Sequence, residues 1–201
     1  MLNIATWNIC LGLKSKKEYV KQMITDHNID ICCIQECEIR RDYPKDLLTF
    51  RNFNIEIEQN TVKARCCIYI KDNVSYTRRE DLEGTDNNLV IIELRSLIVI
   101  NLYRSFSHQN NKTPLERFTS QIQKIDSTIT KYPNHKIILL GDFNLNYELI
   151  NNTNYNYKNL CDVLNESTTQ NNLTQVVNFP TWHRVINGIR KESILDSRIH
   201  E

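Results

Sequence analysis

Lys136-Ile137-Ile138-Leu139-Leu140-Gly141-Asp142-Phe143-Asn144 is the stretch on which the reading of this chain turns. Residues 137–140 form a short continuous apolar run, the pattern of a strand covered on both faces. Gly141 is expected to let the backbone turn where a bulkier residue would clash. Asp142 and Asn144 follow at once, with Phe143 between them. A buried strand thus delivers a carboxylate and a carboxamide to one small volume, and in open α/β sheets the ends of strands are where ligands bind. Such a pair can hold an attacking water together with a phosphate or a metal. An exposed turn rich in Asp and Asn fits the same residues, and on this stretch alone the two readings stand even.

The segment before it predicts a helix. Thr113 is an N-cap, Pro114 takes the first helical position and Glu116 closes a capping box. Leu115, Phe118, Ile122, Ile125 and Ile129 then recur at steps of three and four, a stripe suited to a sheet face, and Pro133 ends the element. Toward the N-terminus, residues 2–9 alternate as a strand ending at Trp7-Asn8. Ser15 and Glu18 read as a capping box for a helix over 16–27, with Tyr19, Val20, Met23 and Ile24 as its apolar face. Residues 30–35 read as a second apolar strand ending at Gln35-Glu36, followed by a polar, irregular segment over 37–53. Residues 54–58 and 63–71 look like antiparallel partners, and 74–78, 88–95 and 97–103 continue the series of strands. Beyond the opening stretch, 146–159 reads as a surface loop, 157–164 as a short helix and 173–177 as a strand. Asn187-Gly188 marks a hairpin between 183–186 and 189–195, whose last strand reaches Asp196.

The 201 residues suffice for one domain with a sizeable core, with no internal repeat or boundary, so 1–201 is read as one domain. Twenty-five Lys plus Arg against 24 Asp plus Glu leave a net charge of +1, which excludes a polycation built for nonspecific nucleic-acid binding. The N-terminus lacks the basic start and apolar core of a signal peptide, and no run approaches the roughly 18 apolar residues of a membrane span. The expectation is a soluble, intracellular protein, in nucleus or cytoplasm, not secreted and without a membrane partner. Seven cysteines, odd in number and with no repeated two-residue spacing, read as reduced core residues and not as a zinc site.

Several expected strands end in a polar residue suited to phosphate chemistry: Asn8, Glu36, Tyr103, Asp142 with Asn144, and Asp196. Each alone has a plain explanation as a turn residue, a surface charge or a packed aromatic. Together they form an all-oxygen set, which suits Mg2+ or Mn2+. A glutamate at a strand end, with aspartate and asparagine beside it, would hold one hydrated divalent ion against a phosphodiester.

Thr6-Trp7-Asn8, Ile34-Gln35-Glu36, Asn101-Leu102-Tyr103, Gly141-Asp142-Phe143-Asn144 and Ser193-Ile194-Leu195-Asp196 resemble, in order, the motifs of the endonuclease/exonuclease/phosphatase superfamily. Tyr103-Arg104-Ser105-Phe106, residues 141–147 and Asn178-Phe179-Pro180-Thr181-Trp182 look most like the apurinic-endonuclease-like endonuclease domain of non-LTR retrotransposons. The resemblance implies an α/β (α+β) fold, a four-layer α/β/β/α sandwich of two mixed sheets. It also implies residue roles. Glu36 and Asn8 would bind Mg2+ or Mn2+, and Asp142 would position or deprotonate the attacking water. Asn144, Tyr103 and Asp196 complete the catalytic set: Tyr103 supports the phosphate or leaving group and Asp196 orients a catalytic histidine. Asn8, Asn144, Arg104 and Trp182 would contact the substrate. The implied reaction is metal-assisted nicking of DNA to 3′-hydroxyl and 5′-phosphate by a monomer, with a reverse transcriptase of the same element as a candidate partner on which the sequence itself does not decide.

Two departures qualify the match. The family's Tyr-x-Pro-Asn is Tyr103-Arg104-Ser105-Phe106, which lacks the amide. The family also continues past the aspartate to a final Ser-Asp-His, whereas Asp196 is followed by Ser197-Arg198-Ile199-His200-Glu201. Neither His200 nor His183 is assigned the missing role. The expectation is a domain incomplete at its C-terminal end, with the last strands missing, an open sheet edge and activity that is weak or lost. The competing readings are a phosphatase or phosphodiesterase of the same superfamily acting on a non-DNA phosphoester, and a non-catalytic nucleic-acid-binding relic. Arg40, Arg41, Arg78, Arg79, Arg104, Arg184 and Arg190 are the candidate DNA contacts.

Overall fold

The run Ile31-Cys32-Cys33-Ile34 shows how the layers arise. Ile31 and Cys33 pack with Ile68, Val99 and Leu140 on one side, while Cys32 and Ile34 pack with Val20 and Ile24 on the other. Successive side chains of a strand point to opposite faces, so a strand apolar throughout must lie between two layers. A computed structural model describes residues 2–59, 62–85, 87–106 and 111–177, and the backbone alone of 182–186, 189–193 and 196–200.

In chain order the elements are β1 (Ile4–Asn8), α1 (Leu13–Asp26), β2 (Ile31–Arg40), β3 (Phe53–Ile57), β4 (Lys63–Lys71), β5 (Thr77–Arg78), α2 (Glu80–Glu83), β6 (Leu89–Leu94), β7 (Leu97–Tyr103), α3 (Pro114–Lys131), β8 (Lys136–Asp142), α4 (Lys158–Gln170), β9 (Thr174–Gln175), β10 (Trp182–Ile186), β11 (Ile189–Ser193) and β12 (Asp196–His200). One sheet has the order β1-β2-β4-β3 and the other β5-β6-β7-β8-β12-β9, while β10 and β11 form a separate hairpin. Each large sheet is mixed: β1 runs parallel to β2 and β7 to β8, and the remaining pairs are antiparallel.

The sheets face each other across Ile31, Cys33, Cys66, Ile68, Ile70, Val90, Ile92, Val99, Ile138 and Leu140. Helix α1 covers the outer face of the four-stranded sheet through Leu13, Val20 and Ile24. Helices α3 and α4 cover the other sheet, with Phe118, Ile122, Ile125, Leu160 and Leu164 set against Ile98, Ile100, Ile137 and Leu139. The result is the four-layer α/β/β/α sandwich. Each buried Ile or Leu contributes about 1.5–3 kcal/mol relative to exposure.

The α3 start is as expected: Thr113 Oγ1 accepts from Glu116 N at 3.2 Å, and Thr113 N donates to Glu116 Oε2 at 2.7 Å. The expected α1 cap is not. The helix begins at Leu13 behind Gly12 in the left-handed region, and the Ser15 hydroxyl donates to Gly12 O at 3.0 Å from inside the first turn. Leu13, not Tyr19, completes its buried face, and Tyr19 is 70% exposed. Strand β2 does not stop at Gln35 but continues to Arg40 through a register shift between Gln35 and Ile39. Residues 74–78 yield only the two-residue β5, because α2 follows at once. Helix α4 runs six residues beyond the expected end, and the added turns bury Ser167.

Gly141 lies inside β8 rather than at a turn. Its φ is +143°, and a Cβ there would stand 1.9 Å from Leu102 O, so glycine is required by the approach of β7. At the C-terminal side, β12 pairs with β8 and with the two-residue β9. The sheet therefore continues past β8, and its outer strand is a short one, which limits edge pairing. No described helix is long and apolar enough to cross a membrane.

Candidate active site

Residue parity decides which side chains meet. On β1, β7 and β8 the face that looks at the opposite sheet carries Ile4, then Thr6 and Asn8; Val99, then Asn101 and Tyr103; Ile138 and Leu140, then Asp142. The inter-sheet layer is therefore apolar in its middle and polar at one end. The first polar row stitches the sheets together. Gln35 Nε2 donates to Asn101 Oδ1 at 2.6 Å and Thr6 Oγ1 at 3.0 Å, while Asn101 Nδ2 donates to Ile34 O at 3.0 Å and Cys67 O at 2.9 Å.

The next row is the candidate site. Asn8 Nδ2 donates to Asp142 Oδ2 at 2.6 Å and to Glu36 Oε1 at 3.1 Å, so one neutral amide bridges two carboxylates from different sheets. Its own oxygen accepts from Cys10 N at 2.8 Å, which holds the nitrogen toward the carboxylates. The Tyr103 hydroxyl donates to Glu36 Oε1 at 3.2 Å. Asp142 Oδ1 accepts from Asn144 N at 2.8 Å. In the sheet register Tyr103 lies beside Asp142, and the backbone of Asp196 lies beside Asp142 on the other flank. Tyr103, Asp142 and Asp196 thus form one row across β7, β8 and β12.

Glu36 reaches the row by a different route. Simple alternation would send it to the α1 side with Cys32 and Ile34. Its φ of +56° and the register shift that follows form a bulge, and bulges re-aim side chains. Non-glycine residues in this backbone region store strain of order 1–3 kcal/mol, which is common at functional sites.

Arg104 corrects an expectation. It does not face a substrate but is buried, with Nη2 donating to Asn144 O at 2.5 Å and Nε to Phe143 O. Burial holds its guanidinium pKa below the usual arginine range, with the Asp142 charge opposing. Asn144 Nδ2 in turn donates to Arg104 O at 2.8 Å, so this pair braces the Phe143–Asn144 turn from within. Arg78 and Arg79 also have internal duties. Arg78 pairs with the buried Glu83 at 2.6 Å, and Arg79 pairs with Asp81 and Glu93 over the Tyr132 ring. The side chains of Trp182, Arg184, Arg190 and Asp196, together with residues 178–181 and 187–188, lie outside the described residues. The backbone of His200 pairs opposite Ile138, four residues along β8 from Asp142.

Sequence reading missed Arg65, which joins this site. Arg65 Nη2 donates to the Tyr103 hydroxyl at 3.1 Å, its guanidinium lies 4.8 Å from the Tyr103 ring centre, and Nη1 pairs with Glu38. The available signal was a charge inside an otherwise apolar strand, between Ala64 and Cys66. Burial and the Glu36 carboxylate push the Tyr103 phenol upward, against the opposing pull of Arg65, so the hydroxyl is neutral and a donor at neutral pH.

The donor set suits a hard cation. No described group of three or more His, Cys, Asp or Glu side chains is placed to hold a metal. Glu36 spends Oε1 on Asn8 and Tyr103, however, and its Oε2 makes no hydrogen bond with a described residue. One free carboxylate oxygen beside a second carboxylate fits an ion that keeps most of its water.

Residues 5–187 match the Endonuclease/Exonuclease/phosphatase family. The chain belongs to this family. No functionally curated protein matches the sequence. Among solved structures, the endonuclease domain of TRAS1, a telomere-specific non-LTR retrotransposon, shares the fold with a TM-score of 0.69 at 17% identity, covering 100% of this chain and 85% of that one. An AP endonuclease from Archaeoglobus fulgidus gives 0.68 at 16% identity, covering 100% and 86%. The 3′ phosphatase NExo from Neisseria, bound to a product DNA hairpin, gives 0.71 at 16% identity, again covering 100% and 86%. At these identities the likeness is one of fold, and the family, whose name spans nucleases and phosphatases, rests on the match over residues 5–187.

Proposed function

We propose that this chain is a metal-dependent phosphodiesterase that nicks DNA, the endonuclease domain of a non-LTR retroelement. The observation that carries the reading is the Asn8 amide held between Glu36 and Asp142 across the two sheets, with a neutral Tyr103 on the same carboxylate. The DNA substrate is supported by solved relatives described as endonucleases and by one that holds a product DNA hairpin. The retroelement setting draws on the motif resemblance and on the TRAS1 fold.

Glu36, through Oε2, would hold Mg2+ or Mn2+, which when bound supplies positive charge at the phosphate; Asn8, expected as a second ligand, turns its amide nitrogen to Glu36 and Asp142 and its oxygen to Cys10 N, so it positions the carboxylates instead. Asp142 takes a proton from the attacking water, oriented by its bonds from Asn8 Nδ2 and Asn144 N. Water forms the new P–O bond as the P–O3′ bond breaks, and the leaving 3′-oxygen takes a proton from solvent water, giving 3′-hydroxyl and 5′-phosphate. Tyr103, kept neutral, donates its one hydroxyl proton to Glu36 Oε1 and so orients the carboxylate that would hold the ion.

The test is supercoiled-plasmid nicking with Mg2+ by the full chain, beside Glu36→Ala and Asp142→Ala. Nicking lost in both variants supports the reading. Hydrolysis of small phosphomonoesters without nicking would move the assignment to a phosphatase, and salt-sensitive DNA binding without turnover would make the protein a non-catalytic binder.

A further inference from the structure

We propose that Arg65, anchored by Glu38, is a positioning residue of the active site: it clamps the Tyr103 ring and occupies the acceptor side of its hydroxyl, so that the hydroxyl proton points at Glu36. The placement of Arg65 stands on geometry, and only its kinetic consequence rests on the phosphodiesterase reading.

A phenol hydroxyl has one proton to give and lone pairs to receive. Arginine only donates and an ionised carboxylate only accepts. With Arg65 Nη2 at 3.1 Å and Glu36 Oε1 at 3.2 Å, the hydroxyl can only accept from Arg65 and donate to Glu36. The guanidinium also lies over the ring at 4.8 Å, within the range of a cation–π contact, which restrains the ring itself.

The clamp is itself held. Glu38 accepts from Arg65 Nη1 and from Lys63 Nζ, the latter at 2.9 Å. Glu38 has a φ of +50°, two residues from Glu36 at +56°, inside the same β2 bulge. One irregularity therefore presents the metal-side carboxylate and anchors the group that orients its phenol partner. Arg65 Nε makes no hydrogen bond with a described residue, so the guanidinium is held by its two Nη contacts and by the ring face.

The experiment uses the full chain with 13C-labelled tyrosine at fixed neutral pH, the Tyr103 Cζ signal being assigned by its loss in Tyr103→Phe. In Arg65→Gln that signal is expected to shift, because the hydroxyl loses the donor on its acceptor side. Arg65→Lys, which keeps the charge but not the fork, should recover part of that shift. In nicking assays Arg65→Gln should lower kcat about tenfold with KM little changed, and that loss should vanish in a Tyr103→Phe background, because two groups acting through one contact are not additive. An unchanged Tyr103 signal in Arg65→Gln would overturn the proposal, as would additive losses in the double variant. Should Arg65→Gln fail to fold, Glu38→Gln, which loosens the anchor, must shift the signal in the same direction for the proposal to stand. The signal needs no turnover, so it decides the placement of Arg65 even if the chain nicks no DNA.

Discussion

Replacing Gly141 with alanine is the most severe single-methyl test of this fold and site. The residue sits in β8 directly beside Leu102 of β7, with φ +143°. An added Cβ would stand 1.9 Å from Leu102 O, 2.8 Å from its carbonyl carbon and 2.9 Å from its nitrogen. All three obstacles are backbone, so no side-chain rotation relieves them and the two strands must part. The unfavourable dihedral alone costs about 1–3 kcal/mol, and each ladder hydrogen bond weakened by separation adds about 1 kcal/mol. A loss of roughly 3–5 kcal/mol follows, in the range reserved for the most disruptive single substitutions. Urea unfolding followed by circular dichroism measures it, as a fall in midpoint at unchanged slope. Because Tyr103 and Asp142 flank each other one residue further along the same two strands, nicking by the folded fraction should fall as well. A loss below about 1 kcal/mol with nicking intact would refute the claim that β7 and β8 meet at Gly141.

Asn8→Ala removes the amide between Glu36 and Asp142 and should lower plasmid nicking about 10²-fold with little change in melting temperature. Arg104→Met should lower the urea midpoint, because the carbonyls of Phe143 and Asn144 lose their donors, at a cost of about 2–4 kcal/mol. The salt dependence of DNA binding should stay as it was, since Arg104 is internal. Burial raises the Glu83 carboxyl to about 7, against the opposing pull of Arg78 and Ile91 N. Its folded pKa therefore lies above its unfolded one, so its contribution is complete below the unfolded carboxyl range of about 4.3 and is lost as pH rises through about 7. Melting temperature measured from pH 5 to 8 should decline more steeply in the parent than in Glu83→Gln. Thr113→Ala opens the α3 capping box and should cost about 1 kcal/mol in chemical denaturation.

Much of the fold was legible because it is written in local periodicity. The apolar runs at 31–34 and 137–140 demand a layer on each side, and the Thr113-Pro114-Leu115-Glu116 start specifies α3 without reference to any other segment. The polar ends of β1, β7 and β8 were legible for the same reason, since alternation alone carries Asn8, Tyr103 and Asp142 onto one face. Ser15 misled because a serine three residues before a glutamate is a cap only if the chain enters the helix there, and the left-handed run at Cys10, Leu11 and Gly12 brings it in earlier. Arg104 misled because an arginine beside a tyrosine at a strand end reads as a ligand contact. The turn that Phe143 and Asn144 make above it turns it into a brace.

By itself the sequence determined which residues could form the site: hard oxygen and amide donors, spaced to fall at strand ends in an α/β sandwich. Tertiary structure alone decided how they meet. Glu36 belongs by parity to the helix side and reaches Asn8 only because β2 bulges against β4. Gly141 is required by the backbone of β7, and Arg65 reaches Tyr103 only when the two sheets close face to face. Alternation is a property of a strand, whereas a bulge, a close approach and a bridge between sheets are properties of the pairing of strands far apart in the chain.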